Sequence, residues 1–375
     1  MNHEEIMMIM YAHKRITRAL VLSILLLGGS VPVRAAEAVP TPDQVKAAIG
    51  HLGPVPVPQD NPLTAARVAL GQKLFTDKRL SGDSSFSCQD CHMPDHGFAV
   101  PVALGPAYPT QSERRNSPSL VNVAYNRPLI WDGRAPNLDK QALGPVKNIL
   151  HMNNNVDLLV EQLKMEEAYR RAFAEAFGDS TVTAERIAFA LASYERTLVF
   201  DNSPLDHYMD GEQEALSAAQ QRGLALFLGK AHCIQCHQGA NLTDNGFHNL
   251  GVPASSVDYN PQILASIRFD AQRMGLADWA LLHSDPGREL VTRDPADRGK
   301  FRTMGLRNIE SSAPYMHNGA LETLEAVVAF YNRGGGEDPN KSPLLKPLGL
   351  SQQEQADLVA FLHALTGQQR KMSFE

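Results

Sequence analysis

The sequence CQDCH at residues 88–92 returns with the same spacing as CIQCH at residues 233–237. These two segments contain all four cysteines of the 375-residue chain. Four cysteines are too few for a disulfide scaffold, which small secreted domains build at a much higher density. The role of the cysteines therefore has to follow from the repeated C-x-x-C-H pattern.

In this pattern the two cysteines and the histidine stand at positions i, i+3 and i+4, which share one face of a helical turn. Two thiols on such a face can bond to the vinyl groups of a porphyrin while the imidazole reaches the iron. C-x-x-C-H is the sequence signature of c-type haem attachment. The sequence thus predicts two covalently bound haems. The predicted attaching thiols are those of Cys88, Cys91, Cys233 and Cys236, and the predicted proximal iron ligands are His92 and His237.

Two other uses of paired cysteines stay open at this point. Zinc ribbons join two C-x-x-C pairs in a four-cysteine site, but such a site leaves both following histidines unexplained. A thioredoxin-like redox pair needs an α/β context, which the hydrophobic pattern does not indicate.

A shared helix pattern precedes both motifs and indicates an internal repeat. Each copy carries Gly-x-x-Leu-Phe, at Gly71, Leu74 and Phe75 and again at Gly223, Leu226 and Phe227. Helical spacing of apolar residues recurs at 156–163, 168–177, 183–198, 323–331 and 351–365. Residues 241–300 are rich in Asp, Asn, Pro and Gly and are predicted to form long loops. No strand pair is indicated.

These patterns predict a mostly α fold of two cytochrome c-like helical domains, each with one covalently bound c-type haem. The predicted N-terminal domain covers residues 37–205, and the predicted C-terminal domain covers residues 206–375. At roughly 150 residues per domain, the chain length also favours two domains.

Residues 1–36 are predicted to be a signal peptide. Basic residues at 14, 15 and 18 precede a short apolar run at 19–27, and an A-x-A-like stretch ends at Ala36. Crossing a bilayer takes roughly 20 apolar residues, so a retained membrane anchor is the weaker interpretation. A start at Met8 or Met10 is also open. The mature chain is predicted to be periplasmic and to have no membrane span.

The charge balance bears on the partners of the chain. It has 35 Lys and Arg against 41 Asp and Glu, a formal net charge of −6. Beyond the extreme N-terminus no basic run is present that could bind a phosphate backbone. A nucleic-acid partner is therefore not predicted.

Further motifs follow one another in a recognisable order. They are RNSP at 115–118, WDGRA at 131–135, GPV at 144–146, FHNLG at 247–251, LRN at 306–308 and APYMHNG at 313–319. Together with both C-x-x-C-H motifs, they closely resemble the bacterial di-haem cytochrome c peroxidase and MauG family over nearly the whole mature chain. The resemblance implies a peroxide-reacting haem on residues 88–92 and an electron-transfer haem on residues 233–237.

The resemblance also implies what faces each iron. On the electron-transfer haem the second ligand is Met in typical peroxidases and Tyr in MauG, and Tyr331 stands at that position here. A phenolate brings negative charge to the metal and favours ferric iron. At the other haem, typical peroxidases place a removable His before the RNxP motif. Residues 101–114 contain no His and have Tyr108 near that place, so an open distal position is implied, as in MauG.

Two further roles are implied by the resemblance. Trp131 matches the tryptophan between the haems and is the expected electron relay. A calcium ion is implied between the domains, with the side chain of Asn116 and the backbone carbonyls of Ser312 and Pro314 as oxygen ligands. Alternatively, Trp131 and Tyr331 only pack, as aromatic side chains commonly do.

The distal pocket departs from the family in one residue. Gln141 and Pro145 match the family's Gln and Pro, but His151 stands where the family has Glu. Peroxide cleavage needs a group that takes a proton from the near oxygen and returns one to the far oxygen. Because histidine titrates near neutral pH, His151 is predicted to be this acid/base.

The implied function is a peroxide-dependent oxidation of a residue of a partner protein, as in MauG, for example in the precursor of a protein-derived cofactor. A cytochrome c peroxidase that takes electrons from a small cytochrome c or a cupredoxin is the alternative within the enzymes. A non-catalytic di-haem electron carrier is the alternative from another class.

Overall fold

The computed structural model describes residues 38–108, 112–254 and 260–374. The predicted signal peptide lies outside these residues. In chain order the described α-helices are α1 (Pro42–Ala48), α2 (Ala65–Phe75), α3 (Cys88–Cys91), α4 (Leu138–Gln141), α5 (Gly144–Lys147), α6 (Val156–Met165), α7 (Glu167–Phe177), α8 (Ala184–Glu195), α9 (Pro204–Met209), α10 (Ala218–Leu228), α11 (Pro261–Arg273), α12 (Glu289–Thr292), α13 (Leu324–Asn332) and α14 (Gln352–His363). The prediction of a mostly α fold is confirmed. In this part of the chain, no helix is both long enough and apolar enough to cross a membrane.

Two short strand pairs differ from the prediction of none. Strand β1 (Phe200–Asp201) pairs antiparallel with β4 (Gln368–Gln369), and β2 (Phe247–His248) pairs antiparallel with β3 (Phe301–Arg302). A two-residue strand is too short to show the alternation of apolar and polar residues by which strands are predicted.

The prediction of long loops at 241–300 is wrong at the short helix α12 and, over a longer stretch, at α11. This helix begins where the side chain of Asn260 accepts the backbone N–H of Gln262 and where Pro261 fills the first helical position. An Asn-Pro pair is common both in turns and at helix starts, so the sequence alone does not distinguish the two. Buried apolar residues of α11, including Ile263 and Ile267, form a small hydrophobic cluster with residues up to Leu290.

The repeated Gly-x-x-Leu-Phe element forms the same helix crossing twice. Helix α2 packs on α8, and α10 packs on α14. A Cβ added to Gly71 would lie 2.0 Å from the carbonyl oxygen of Ala190, and one added to Gly223 would lie 2.0 Å from that of Asp357. In both copies glycine allows two backbones to approach where no side chain fits.

The aromatic ends of these crossings also correspond. The rings of Phe75 and Tyr194 are 5.0 Å apart and tilted by 58°, and those of Phe227 and Phe361 are 5.2 Å apart and tilted by 57°. Each partner ring comes one helical turn after the residue that faces the glycine. The sequence repeat is therefore also a repeat of packing.

Either glycine is expected to destabilise the protein when it is replaced by alanine. Gly71→Ala and Gly223→Ala should each lower the free energy of unfolding by about 1–3 kcal/mol, because the added methyl group overpacks the crossing. Urea unfolding followed by far-ultraviolet circular dichroism measures the change. Gly53→Ala is the control, since a Cβ there meets nothing within 4 Å. Equal unfolding midpoints for all three variants would contradict the prediction.

Each C-x-x-C-H motif packs against its own hydrophobic cluster. Cys88 contacts a cluster built from buried residues between Leu70 and Leu198. Cys233 contacts a second cluster built from buried residues between Leu205 and Leu365, which α1 joins through Val45 and Ile49. The division into two domains at residue 205 stays a prediction.

Candidate haem sites

The first attachment turn, residues 88–92, is a single helical turn. The backbone N–H and the hydroxyl of Ser87 donate to Oδ2 of Asp90, at 2.7 and 2.8 Å, which secures the start of the turn. The amide of His92 donates to the carbonyl of Cys88 at 2.9 Å. The two cysteines and the histidine therefore share one turn, as their spacing predicts.

The second attachment turn, residues 233–237, closes in the same way. It is a 3-10 turn at Cys233–Gln235, entered through His232 with a φ of 55°. The amide of His237 again donates to the carbonyl of Cys233 at 2.9 Å. Both turns thus present equivalent groups, although only the first is α-helical.

Both histidines of the turns have one ring nitrogen occupied. Nδ1 of His92 lies 3.0 Å from the carbonyl oxygen of Phe98, and Nδ1 of His237 lies 3.1 Å from that of Leu242. A carbonyl only accepts, so Nδ1 carries the hydrogen and the lone pair of Nε2 remains for a metal. Burial lowers the pKa of His92 to about 4 and also lowers the pKa of His237, which keeps both rings neutral. This tautomer fits a proximal haem ligand.

The four thiols do not form a zinc site. None of them is in a disulfide, and burial raises the pKa of Cys91 and of Cys233 to about 12 each. Within the described ranges, the one group of three potential ligand atoms that lie within 4.8 Å of one another belongs to Cys236, Asp244 and His248. The interpretation as a four-cysteine zinc site is therefore wrong.

A cavity of about 320 Å³ lies beside the second attachment turn. Its lining includes Cys233, Cys236 and His237 together with Tyr331 of α13. Burial raises the pKa of the Tyr331 phenol. Two thiols, an imidazole with an available Nε2 and a phenol around one space are a donor set that fits a c-type haem with a tyrosine as second ligand.

Trp131 lies in the wall of the same cavity. Its Nε1–H donates to the carbonyl of Asn116 at 2.8 Å. Its ring meets those of Phe301 and His317 edge-on, at centroid distances of 6.5 and 6.4 Å, and these two rings stack 3.7 Å apart. Trp131 is therefore part of an aromatic cluster beside the second site, and its relay role stays a prediction.

The three residues of the calcium prediction also come together. Asn116, Ser312 and Pro314 all line this cavity. The side-chain amide of Asn116 donates to the carbonyls of Val102 and Ala103, at 3.2 Å each, which fixes its orientation. The calcium site stays a prediction.

The predicted distal residues belong to one stretch of chain that runs from the end of α4 through α5 to the loop before α6. Gln141 ends α4, and the carbonyl of Pro145 in α5 accepts the amide of Met152 at 3.2 Å. His151 lies close enough to the first attachment turn for its charge to add to burial in lowering the pKa of His92. The structure thus brings His151 to the first site.

Glu113 is a site residue that the sequence reasoning missed. Its Oε1 lies 2.7 Å from Nδ1 of His151, and the glutamate side chain is 10% exposed. After burial, the Glu113 carboxylate is the largest cause of the raised pKa of Cys91. The sequence does contain a pointer to Glu113. Residues 101–114 lack the family's removable His, and Glu113 is the only acidic residue among them.

The chain belongs to the di-haem cytochrome c peroxidase and MauG family. The family described as "Di-haem cytochrome c peroxidase" matches residues 65–214. Because relatives with both names cover most of the chain, it is a peroxide-dependent di-haem oxidoreductase, which favours an enzyme over a non-catalytic electron carrier.

Particular relatives carry both names of the family. The chain is 43% identical to the cytochrome-c peroxidase IdrP1 of Denitromonas iodatirespirans, over 85% of this chain and 86% of the relative. It is 37% identical to the methylamine utilization protein MauG of Methylorubrum extorquens, over 83% and 81%. The crystal structure of a MauG-like protein associated with microbial copper homeostasis superposes with a TM-score of 0.71 at 31% identity, over 84% and 94%.

Proposed function

We propose that this chain is a periplasmic enzyme that uses hydrogen peroxide at the first attachment turn and oxidises a residue of a partner protein through the second. Haem bound at the two turns supplies the redox chemistry. The observation that carries the proposal is that Tyr331 and His237 line one cavity. An anionic phenolate stabilises oxidised iron, which long-range oxidation of a protein residue requires.

The residues of the chain have separate tasks in this reaction. His151 takes a proton from one oxygen of hydrogen peroxide and returns it to the other oxygen, which leaves as water. Gln141 and Pro145 complete the distal side. In sum, hydrogen peroxide takes up two electrons and two protons and becomes two water molecules, while the partner loses the two electrons. Trp131 relays these electrons from the second site toward the first.

A second candidate is a cytochrome c peroxidase. It is favoured by the name of the relative with 43% identity, which is a cytochrome-c peroxidase. Here the two electrons come from a small cytochrome c or a cupredoxin that is reduced again after each turnover. The proton transfer at His151 is the same in both candidates, so only the electron source distinguishes them.

Electron paramagnetic resonance and steady-state kinetics on the haem-loaded protein test the proposal. The resting ferric protein is expected to give a high-spin signal from the first site beside a low-spin signal from the second. With a reduced small cytochrome c as donor, peroxide consumption is expected to be slow. Low-spin signals alone would contradict an open first site. Many turnovers per second with the cytochrome would refute protein-residue oxidation and favour the peroxidase.

A further inference from the structure

Glu113 and His151 form a buried pair at the first attachment turn. Oε1 of Glu113 and Nδ1 of His151 are 2.7 Å apart, and both atoms are shielded from solvent and have no hydrogen-bond partner of good geometry, so the contact is one of charge and proximity. The His151 side chain as a whole is 26% exposed, although its Nδ1 is shielded. The pair thus covers one nitrogen of the imidazole, while part of the His151 side chain stays accessible.

The pair is held by two loops that lie over Cys91. The amide of Tyr108 donates to the carbonyl of His151 at 2.9 Å. The amide of Glu113 donates to the carbonyl of Gly105 at 2.8 Å. Sγ of Cys91 lies 3.7 Å from the carbonyl oxygen of Pro106. The backbone therefore fixes the carboxylate and the imidazole relative to each other and next to the attaching thiol.

The arginines that follow Glu113 do not neutralise it. Arg114 forms an ion pair with Asp270. Arg115 is paired with Asp132 and Asp285, at 2.7 and 2.6 Å. The Glu113 carboxylate is therefore left to His151 rather than to the cations beside it in the sequence.

We propose that Glu113 is the positioning residue for His151, in a reaction that rests on the proposed function of the first site. The negative charge of the carboxylate, 2.7 Å from Nδ1, favours the tautomer that carries its hydrogen on Nδ1 and leaves Nε2 as the proton acceptor. It also stabilises the positive charge that the imidazole acquires when Nε2 takes a proton. The family has a carboxylate at position 151. Here a histidine stands at that position, and the carboxylate of Glu113, on a different loop, contacts this histidine.

Cyanide binding to the ferric haem-loaded protein tests this role without peroxide turnover. Hydrogen cyanide has to give up its proton before cyanide binds to iron, and Nε2 of His151 accepts that proton. We expect His151→Ala to slow cyanide association about 100-fold, the scale of general-base catalysis. Glu113→Gln keeps the size of the side chain but removes its charge, and we expect a loss of about 10-fold, within the same scale. Stopped-flow absorbance measures the rate constants.

The double variant Glu113→Gln/His151→Ala separates positioning from a merely structural role. If Glu113 acts through His151, the double variant binds cyanide at the rate of His151→Ala alone. Glu113→Asp retains a carboxylate and is expected to bind cyanide faster than Glu113→Gln. Glu175→Gln, at an exposed glutamate, is the control and should match the wild-type rate. The resting electron paramagnetic resonance spectrum of each variant shows that the site is intact.

The outcomes distinguish this proposal from the proposed function. An equal slowing by Glu113→Gln in the wild-type and His151→Ala backgrounds would overturn the positioning role, and so would an unchanged rate in Glu113→Gln. A wild-type protein that binds no cyanide would instead contradict the open first site, on which the proposed function depends.

Discussion

Replacing Tyr331 with methionine is expected to raise the reduction potential of the C-terminal haem by a few tenths of a volt, within the roughly 0.8 V that axial ligands span in haem proteins. Tyr331 and His237 line the same cavity, and the Tyr331 side chain is partly buried in its wall. A phenolate adds negative charge next to the iron and stabilises the ferric state, whereas a thioether is neutral and favours the ferrous state. The C-terminal haem of the variant is therefore expected to be harder to oxidise, so that it accepts less readily the oxidising equivalents that peroxide delivers.

Spectroelectrochemical titration of the haem-loaded protein measures this shift. Tyr315→Met is the matched control, because Tyr315 lines the same cavity but donates its hydroxyl to the carbonyl of Ile309 at 3.1 Å. The control is expected to change the potential far less than Tyr331→Met. Equally small shifts in both variants would mean that Tyr331 only packs against the haem and is not its ligand.

The features that the sequence predicted correctly depend on short spacings. In the attachment turns, positions i, i+3 and i+4 lie on one turn whatever surrounds it, so the grouping of Cys88, Cys91 and His92 follows from the local chain alone. The Gly-x-x-Leu-Phe repeat is visible in the sequence because the same helix crossing occurs twice. In both copies, at Gly71 and at Gly223, there is no room for a side chain.

The features that the sequence did not predict depend on contacts between distant loops. Glu113 and His151 lie on separate irregular segments, and no periodicity relates them. Helix α1 precedes the first motif, yet its Val45 and Ile49 pack with the second hydrophobic cluster. The residues that start helix α11 are also turn signals, so the sequence predicts a loop there. In each case the deciding interaction is tertiary.

A buried group of charges joins the RNSP and WDGRA motifs to the segment around residue 285. Nε and Nη2 of Arg115 donate to the two carboxylate oxygens of Asp285 at 2.6 and 2.7 Å, and its Nη1 donates to Asp132 at 2.7 Å. Asp132 is fully buried, and Arg134 is its second partner. Burial alone raises the pKa of both carboxyls, but the charges and hydrogen bonds of the arginines around them, those of Arg115 foremost, together outweigh burial and hold both pKa values well below the usual range.

Arg115→Leu is expected to lower the free energy of unfolding by about 3–5 kcal/mol, because it leaves buried carboxylates without their main counter-charge. Urea unfolding of the haem-loaded protein at neutral pH measures the loss. Arg171→Leu is the control, since its ion pair with Glu167 is about two-thirds exposed on both sides and contributes little. Carboxyls whose pKa is lowered in the folded protein stabilise it above the unfolded pKa of about 3.9, and that stabilisation is lost as the pH falls through the folded pKa. The difference in the free energy of unfolding between wild type and Arg115→Leu should therefore become smaller in acid. If this difference stays constant with pH, lost packing and not the uncompensated carboxylates causes the destabilisation.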